Sequence, residues 1–579
     1  MQDPAIVEPR HYVANWQEML IGVQHLKRPR RETRGNEMDR DGGSSQENAA
    51  PSTGAAWSVA ATASSLGTAS VRAFGMRPFP AAVRGARVGF FALIAGGAAL
   101  RVGFNSVKRF GCGDEYHYCF QVRAIHENGW SCFPKLARWH LASEPDFPAP
   151  YRWGVLFFGN LACALRGSCD ERTLAWLSSV AGIAVVTLVA LIAVKLFSRR
   201  TAFVATALAL TSPLHLELGR RAYADELHTA LLLLSLLALT HVAMDRPHEN
   251  SSVSRRLWTS IAILALTFAW SVKESVAFLV PALGLWLYAL RSPKRLRWSD
   301  GVLLALPPAI AFFVLVAFNR GFSHLGALLR ATRDSLSQPY SATYQQGPPH
   351  RPLIELFTLS PGVFALLPVV PFAALGFAPP KEPTAEACGS GDVMRRRAQG
   401  LVLVFLAIVV AFAFLPKNLR FYGVLDPLAR LLVAWLIAEV LPWGKASSVA
   451  WCASILAGNA ALELAIFHRT FVTSAVTDPT ASAIFDALQL TPSEARRWHP
   501  PLLVNGCALV SMALAWTAAY LAKFKGKSVL VAIVISVSVL VTPQLFRPMK
   551  APRGAALLRK CVEMDRAALT SDSDREGQE

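Results

Sequence analysis

The sequence predicts an all-α integral membrane protein, a bundle of about 13 transmembrane helices, because long apolar runs recur along it and a bilayer core takes about 20 apolar residues per helix. Composition points the same way. Of the 579 residues 53% are hydrophobic and 17% charged, where soluble domains carry roughly 25% charge. The third observation is the placement of the charges, which gather in short segments between the runs. A chain this apolar is not a disordered protein as a whole. The net charge of +19 would suit a phosphate-rich partner, but scattered between apolar runs it argues against a soluble nucleic-acid binder.

The runs follow in order. Val88–Phe104 is broken only by Arg101, and Leu174–Phe197 holds a lone Lys195 near its end. Leu227–Met244, Val302–Phe318, Leu401–Leu415, Val449–Phe467, Leu502–Lys523 and Val529–Leu545 complete the longer set. Thr201–Leu218, Leu257–Ser271, Val276–Leu290, Pro361–Ala378 and Leu425–Val440 are shorter. Lys and Arg between spans mark the cytoplasmic side. With the N-terminus inside, the inner loops read SRR (Ser198–Arg200), RSPKRLR (Arg291–Arg297), a segment ending in MRRR (Met394–Arg397) and KFKGK (Lys523–Lys527). One exception is the tail, where Lys550, Arg553, Arg559 and Lys560 fall on the outer side. Residues 1–84 are polar and rich in Ser, Ala and Gly, and are expected to form a disordered cytoplasmic leader. Residues 85–545 form the membrane domain and residues 546–579 a polar tail.

In this topology the outer face collects acidic pairs and cations. The first outer loop is long, with juxtamembrane helices expected in it, and opens with GCGDEYHYCFQVRAIHENGW (Gly111–Trp130). GRRAYADE (Gly219–Glu226), Lys273-Glu274 and LPKNLRFYG (Leu415–Gly423) follow on later outer loops. Each has a plain structural explanation. Asp114-Glu115 and Asp225-Glu226 could cap helices, Lys273-Glu274 could pair with each other, and Lys417 and Arg420 could snorkel to headgroups. Charges abutting apolar spans are costly unless paired or functional, and here they share one face. Glycosyl transfer from a lipid-phosphate sugar needs this combination: a carboxylate as base for the acceptor hydroxyl and cations for the departing phosphate.

The motifs in order resemble the GT-C membrane glycosyltransferases, most closely the bacterial branch of aminoarabinose transferases of lipid A, RgtA/B/C/D-like transferases and protein O-mannosyltransferases. GDEYHY (Gly113–Tyr118) is similar to that family's Asp-Glu motif after the first span. PAPYRWGVLFFGN (Pro148–Asn160), SPLHLELGRRAYADELHTALLLLSLLAL (Ser212–Leu239), WSVKESVAFLVPALGL (Trp270–Leu285) and LPKNLRFYGVLDPLARLLVAW (Leu415–Trp435) resemble its later segments. The resemblance implies an inverting glycosyltransferase acting at the exoplasmic face of a membrane, the bacterial inner membrane being favoured. Its donor would be a polyprenyl-phosphate sugar and its acceptor a lipid, glycan or protein. It implies Asp114 as base, Glu115 as its positioning group and Asp225 as a second acid. Lys273, Lys417 and Arg420 would hold the donor phosphate, with Arg220 and Arg221 as further candidates. The resemblance implies no particular cofactor. A divalent cation such as Mg²⁺ or Mn²⁺ has candidate ligands in Asp114, Glu115 and His117. Membrane lipids are expected partners and nucleic acid is not.

Two features stand apart. Five of the nine cysteines, Cys112, Cys119, Cys132, Cys163 and Cys169, lie in or beside the first outer loop, where an oxidising exterior permits disulfides. The competing class is a multi-pass transporter or lipid flippase, which places charges near the midplane beside broken helices.

Overall fold

The most apolar stretches fold as helices whose surroundings explain why they need no polar face. The computed structural model describes residues 82–103, 114–142, 150–244, 252–291, 297–335, 351–375, 390–414, 419–440 and 446–467. All belong to one unit, Pro80–Glu579. The leader, the tail and the runs Leu502–Lys523 and Val529–Leu545 lie outside the described residues. Among the described residues all regular structure is helical.

Helix α1 is Ala82–Gly103, and α2 (Asp114–Asn128) and α3 (Phe133–Ala142) fall in the first outer loop of the sequence reading. Then come α4 (Trp153–Arg166), α5 (Glu171–Leu196), α6 (Arg199–Leu210), α7 (Pro213–Gly219) and α8 (Ala224–Met244). Helix α9 (Ser252–Val272) leads through a 3₁₀ segment, Glu274–Leu279, into α10 (Val280–Leu290). The order continues with α11 (Trp298–Phe318), α12 (Phe322–Ser335), α13 (Arg351–Leu359), α14 (Pro361–Leu366), α15 (Val369–Ala374) and α16 (Ser390–Phe414). Another 3₁₀ segment, Leu419–Val424, opens α17 (Leu425–Trp435), which passes into a π-helical turn at Leu436–Val440 before α18 (Ala446–Phe467).

Local chemistry sets the breaks. The Asp170 carboxylate accepts from the Thr173 backbone N–H at 2.8 Å and starts α5. Just before it, Gly167 ends α4 in the left-handed region at φ 70°, a conformation open to glycine. Ser198 caps α6 and Ser212 caps α7. Pro213 at the first position of α7 offers no N–H to continue α6, and the two helices bend by 62° at this point. The run Pro361–Ala378 becomes two six-residue helices because Pro361, Pro368 and Pro371 interrupt the ladder.

Helix α8 packs most extensively against α9 and α5, and α17 against α6. Helix α8 is apolar on every side, and 78% of its apolar window is buried inside the protein. The corresponding figure for Arg420–Val440 is 94%. These two elements therefore form the middle of the bundle, while α11, at 22%, presents apolar surface outward as a lipid-facing helix would. Five described segments are long and apolar enough to cross a membrane: Glu171–Leu196, Ala224–Met244, Trp298–Phe318, Asp392–Ala413 and Arg420–Val440. The bent α6–α7 pair makes up to six. The remaining described runs, the 21-residue α9 among them, do not meet this measure of length and apolarity, so the described residues do not reach the expected count of about 13.

The expectation from the Lys and Arg distribution is that the end of α2 and the start of α16 lie on opposite faces of the membrane. Cysteine substitutions at exposed Glu127 and Asp392 should react with a membrane-impermeant maleimide from opposite sides of sealed vesicles. Labelling of both from one side would reverse part of the topology.

Candidate active site

The predicted rim residues come from α2, the α7–α8 turn, the α9 end and the Leu419–Val424 segment, and the fold brings several of them together. Asp225 stands in the first turn of α8, and its carboxylate receives a hydrogen bond and ion pair from the Lys273 ammonium, both side chains being buried. Lys273 lies between α9 and the following 3₁₀ segment, where its Nζ sits 4.0 Å from the centre of the Phe421 ring. Arg420, the residue before Phe421, stacks over Tyr223 at 4.6 Å. Arg221 approaches the same Tyr223 ring at 5.0 Å. Two aromatic floors thus carry three cations, each gaining about 0.5–2 kcal/mol from the ring.

The acids are matched to these cations. Arg221 donates from Nε and Nη2 to the two oxygens of Glu115, at 2.7 and 2.8 Å. The pair fixes α2, which bears Asp114 and Glu115, against the α7–α8 turn. The Asp114 and Lys417 side chains lie outside those described. Arg220 points elsewhere: it is buried, bonded to Glu217 and stacked 5.5 Å from Phe467. Of the two adjacent arginines, Arg221 joins the Glu115–Tyr223 cluster and Arg220 braces α7 from within.

Lys273 and Glu274 do not pair with each other, because Lys273 turns to Asp225. Glu274 accepts from Arg152 at 3.1 and 2.7 Å, and Arg152 also donates to the Tyr118 hydroxyl at 2.7 Å. Arg152, in the PAPYRWG segment before α4, therefore straps α2 to the Lys273 loop. Partial burial would raise the half-exposed Glu274 carboxyl, but the charge and hydrogen bonds of Arg152 outweigh it and hold the group below its ordinary range. The strap is present at neutral pH and weakens as acid protonates Glu274. Burial holds Lys273 below the ordinary lysine range, Asp225 opposes the shift, and the nearby charges of Arg152 and Arg420 reinforce it.

Behind the rim lies a second polar layer. His215 on α7 contacts Glu226 at 2.7 Å and the Gly423 carbonyl at 3.1 Å. Asp426 accepts from Ser212 at 2.8 Å and from Arg430 at 2.7 Å, and Arg430 reaches both oxygens of Glu463. In the sequence Arg101 stands out only as a charge within an apolar run. The sequence singles out neither Arg152, Tyr223 and Phe421 at the rim nor His215 behind it, although all four lie in the motif segments. Tyr223 and Phe421 stand one or two positions from predicted charges, whereas Arg152 and His215 have no such neighbour in the sequence.

Cys163 and Cys169 form a disulfide joining the end of α4 to the start of α5. Cys119 is buried and Cys132 half-buried, both as free thiols, and burial, then the nearby Glu171 and Glu115 carboxylates, push the Cys119 thiol well up. Among the described residues no group of three or more His, Cys, Asp or Glu is placed to hold a metal ion. Glu115 already binds Arg221 through both oxygens.

Comparison with known proteins adds one sequence match and several structural likenesses. Residues 153–319 match the family model described as dolichyl-phosphate-mannose-protein mannosyltransferase, a stretch that includes Arg220, Arg221, Asp225 and Lys273. The resemblance to the GT-C glycosyltransferases read from the motifs is thus met by a family match over this part of the chain. No curated protein sequence matches. Among solved structures the chain is similar to ArnT from Cupriavidus metallidurans in the apo state, with 15% identity and a TM-score of 0.42 over 81% of this chain and 79% of that one. It is similar to the same protein bound to undecaprenyl phosphate, with 14% identity and a TM-score of 0.43 over 79% and 78%. It is also similar to the Archaeoglobus fulgidus oligosaccharyltransferase in the apo form, with 10% identity and a TM-score of 0.40 over 71% of this chain and 59% of that one.

The strap predicts coupled energetics. Arg152→Glu and Glu274→Arg should each lower the melting temperature of the detergent-solubilised protein, and the double swap should recover most of the loss. The coupling expected for a bidentate pair with one half-exposed member is about 1 kcal/mol, and additive losses would show that the two residues act independently.

Proposed function

We propose that this chain is an inverting glycosyltransferase that moves a sugar from a polyprenyl-phosphate donor to an acceptor hydroxyl or phosphate at the exoplasmic face. The observation that carries this reading is the convergence of Lys273, Arg420 and Arg221 on Tyr223 and Phe421, beside Asp225 and Glu115. The family match over residues 153–319 supports it, because the description names a lipid-phosphate sugar donor.

In this mechanism the lipid tail stays among the apolar helices and the sugar phosphate meets the rim. Asp114 accepts the proton of the acceptor hydroxyl. The acceptor oxygen then attacks the sugar carbon as its bond to the phosphate oxygen breaks, and polyprenyl phosphate leaves with the electron pair. Lys273, Arg420 and Lys417 stabilise the charge that develops on that phosphate. Asp225 holds Lys273 in place, Glu115 with Arg221 holds α2, and Arg220 supports the turn from behind. The acceptor is a lipid, glycan or protein, and the setting proposed is a bacterial inner membrane with a cytoplasmic N-terminus.

A second reading, a transporter of a lipid phosphate, is favoured by one observation: the 62° break at α6–α7 lies beside the buried Asp426, Arg430 and Glu463. Mass spectrometry of lipid-linked sugars and glycans from a deletion strain, extracted into detergent and incubated with the purified protein, separates the two. A transferase moves the sugar to its acceptor there, whereas a transporter, with no membrane to cross, leaves both unchanged.

Asp114→Asn should abolish transfer, a loss of at least about a hundredfold for a missing general base, while membrane insertion is kept. Arg420→Ala should raise KM for the lipid donor about tenfold through one lost charged contact. Transfer by the Asn variant would remove Asp114 as base, and unchanged donor kinetics would remove Arg420 from the phosphate site.

A further inference from the structure

The rim depends on where the Leu419–Val424 segment lies, since that segment supplies both Arg420 and Phe421. Gly423 holds it from below. A side chain at Gly423 would begin 3.0 Å from the Thr229 hydroxyl and 3.5 Å from Leu218, so the backbone is seated directly on α7 and α8. Its carbonyl oxygen can only accept, so the 3.1 Å contact places a proton on His215 Nε2. His215 Nδ1 lies 2.7 Å from Glu226 Oε2, and one proton must sit between them. Asp426 stands 3.7 Å from Nε2 on the other side.

The surrounding charges make this arrangement self-contained. Arg101, His215 and Arg430 face Glu226, Asp426 and Glu463, all buried. Arg101 and Glu226 meet across Gly182, whose absent side chain would lie 2.9 Å from Arg101 Nε and 3.0 Å from Glu226 Oε1. Three cations balance three carboxylates, and the sum is the same whether the shared proton sits on His215 or on Glu226. A net-neutral cluster is what an apolar bundle tolerates.

We propose that His215 is a positioning residue, clamping the Gly423 carbonyl so that the Leu419–Val424 segment delivers Arg420 and Phe421 to Tyr223 and Lys273. The role in donor binding rests on the proposed transferase reading, whereas the clamp itself does not.

The two amide isosteres of histidine separate the contacts. Gln places its N–H₂ near Nε2 and keeps the bond to Gly423, while Asn places it near Nδ1 and loses that bond. Both substitutions are made in a Glu226→Gln background, which removes one charge of each sign and keeps the cluster neutral. Hydrogen exchange of the peptide spanning Leu419–Val424 in the full-length solubilised protein should rise in the His215→Asn variant and stay near the background level in His215→Gln. Binding of undecaprenyl phosphate should be about tenfold weaker in the Asn variant than in the Gln variant, the loss expected for one well-placed hydrogen bond. Equal exchange in the two variants overturns the clamp. If exchange differs but no form of the protein binds undecaprenyl phosphate, the clamp stands and the phosphate reading falls. Gly423→Ala tests the seat without touching any charge. It should also raise exchange in the segment, and unchanged exchange there would overturn the clamp even if the His215 variants fail to insert.

Discussion

A guanidinium inside an apolar helical bundle has to be met on every side, and Arg430 is met in this way. It reaches Asp426 through Nε, both oxygens of Glu463, the Ser360 hydroxyl at 2.6 Å and the Leu208 carbonyl. Desolvating an ion costs several kcal/mol, and removing one member of such a set typically costs about 3–5 kcal/mol. The partners come from the end of α6, the residue before α14, the start of α17 and the last third of α18. One side chain therefore fixes the mutual placement of four segments. The break between α6 and α7 belongs to the same constraint, since Thr211 donates to Glu463 at 2.6 Å and Ser212 to Asp426. Pro213 permits the bend, and the buried carboxylates make use of the two hydroxyls it leaves free of the helix ladder.

Neighbouring charged residues divide between this interior layer and the rim. Asp225 meets Lys273 while Glu226 meets His215, and Arg221 binds Glu115 while Arg220 binds Glu217. Successive side chains on a helix point about 100° apart, from 3.6 residues per turn. Two adjacent acids at the start of α8 can therefore serve two layers, which also meet at Glu217, 3.5 Å from Arg221. The Leu419–Val424 segment works similarly: Arg420 and Phe421 face the rim, and Gly423 faces the interior through its carbonyl. This is how an interior cluster with no solvent access can set the geometry of a surface one.

What the sequence revealed follows the range of its signals. Apolar runs report burial along a helix, so Leu174–Phe197 and Leu227–Met244 reappear as Glu171–Leu196 and Ala224–Met244. Lys273, Asp225 and Arg420 were legible as charges beside apolar runs, because bare charge at a span end is rare enough to notice. The partner of each charge was not legible. The adjacency of Lys273 and Glu274 suggests an ion pair, but the chain turns between α9 and the 3₁₀ segment and sends them to Asp225 and Arg152. Tyr223 and Phe421 were quoted within motifs yet carried no signal of their own, since aromatics at membrane-span ends have many uses. Cys163 and Cys169 were two of five candidates, and only the turn at Gly167 brings this pair into contact.

Charge arithmetic at the rim sharpens the proposed reading of its ligand. Among the described residues of the rim Arg152, Arg221, Lys273 and Arg420 stand against Glu115, Asp225 and Glu274, an excess of one positive charge, and the buried Arg220–Glu217 pair behind them cancels. Asp114 and Lys417 are opposite in sign and leave that excess unchanged. A sugar linked to a lipid through phosphate is a phosphodiester with one negative charge, so it would bring the rim to neutrality in a setting where uncompensated charge is expensive. Once the sugar leaves, the lipid phosphate becomes a monoester and carries close to a second charge. The proton that Asp114 takes from the acceptor hydroxyl offsets this second charge until Asp114 releases it to solvent, and the site then holds one negative charge more than its cations match. Under the proposed reading the same balance that seats the donor would therefore weaken the hold on the spent carrier and favour its release into the bilayer.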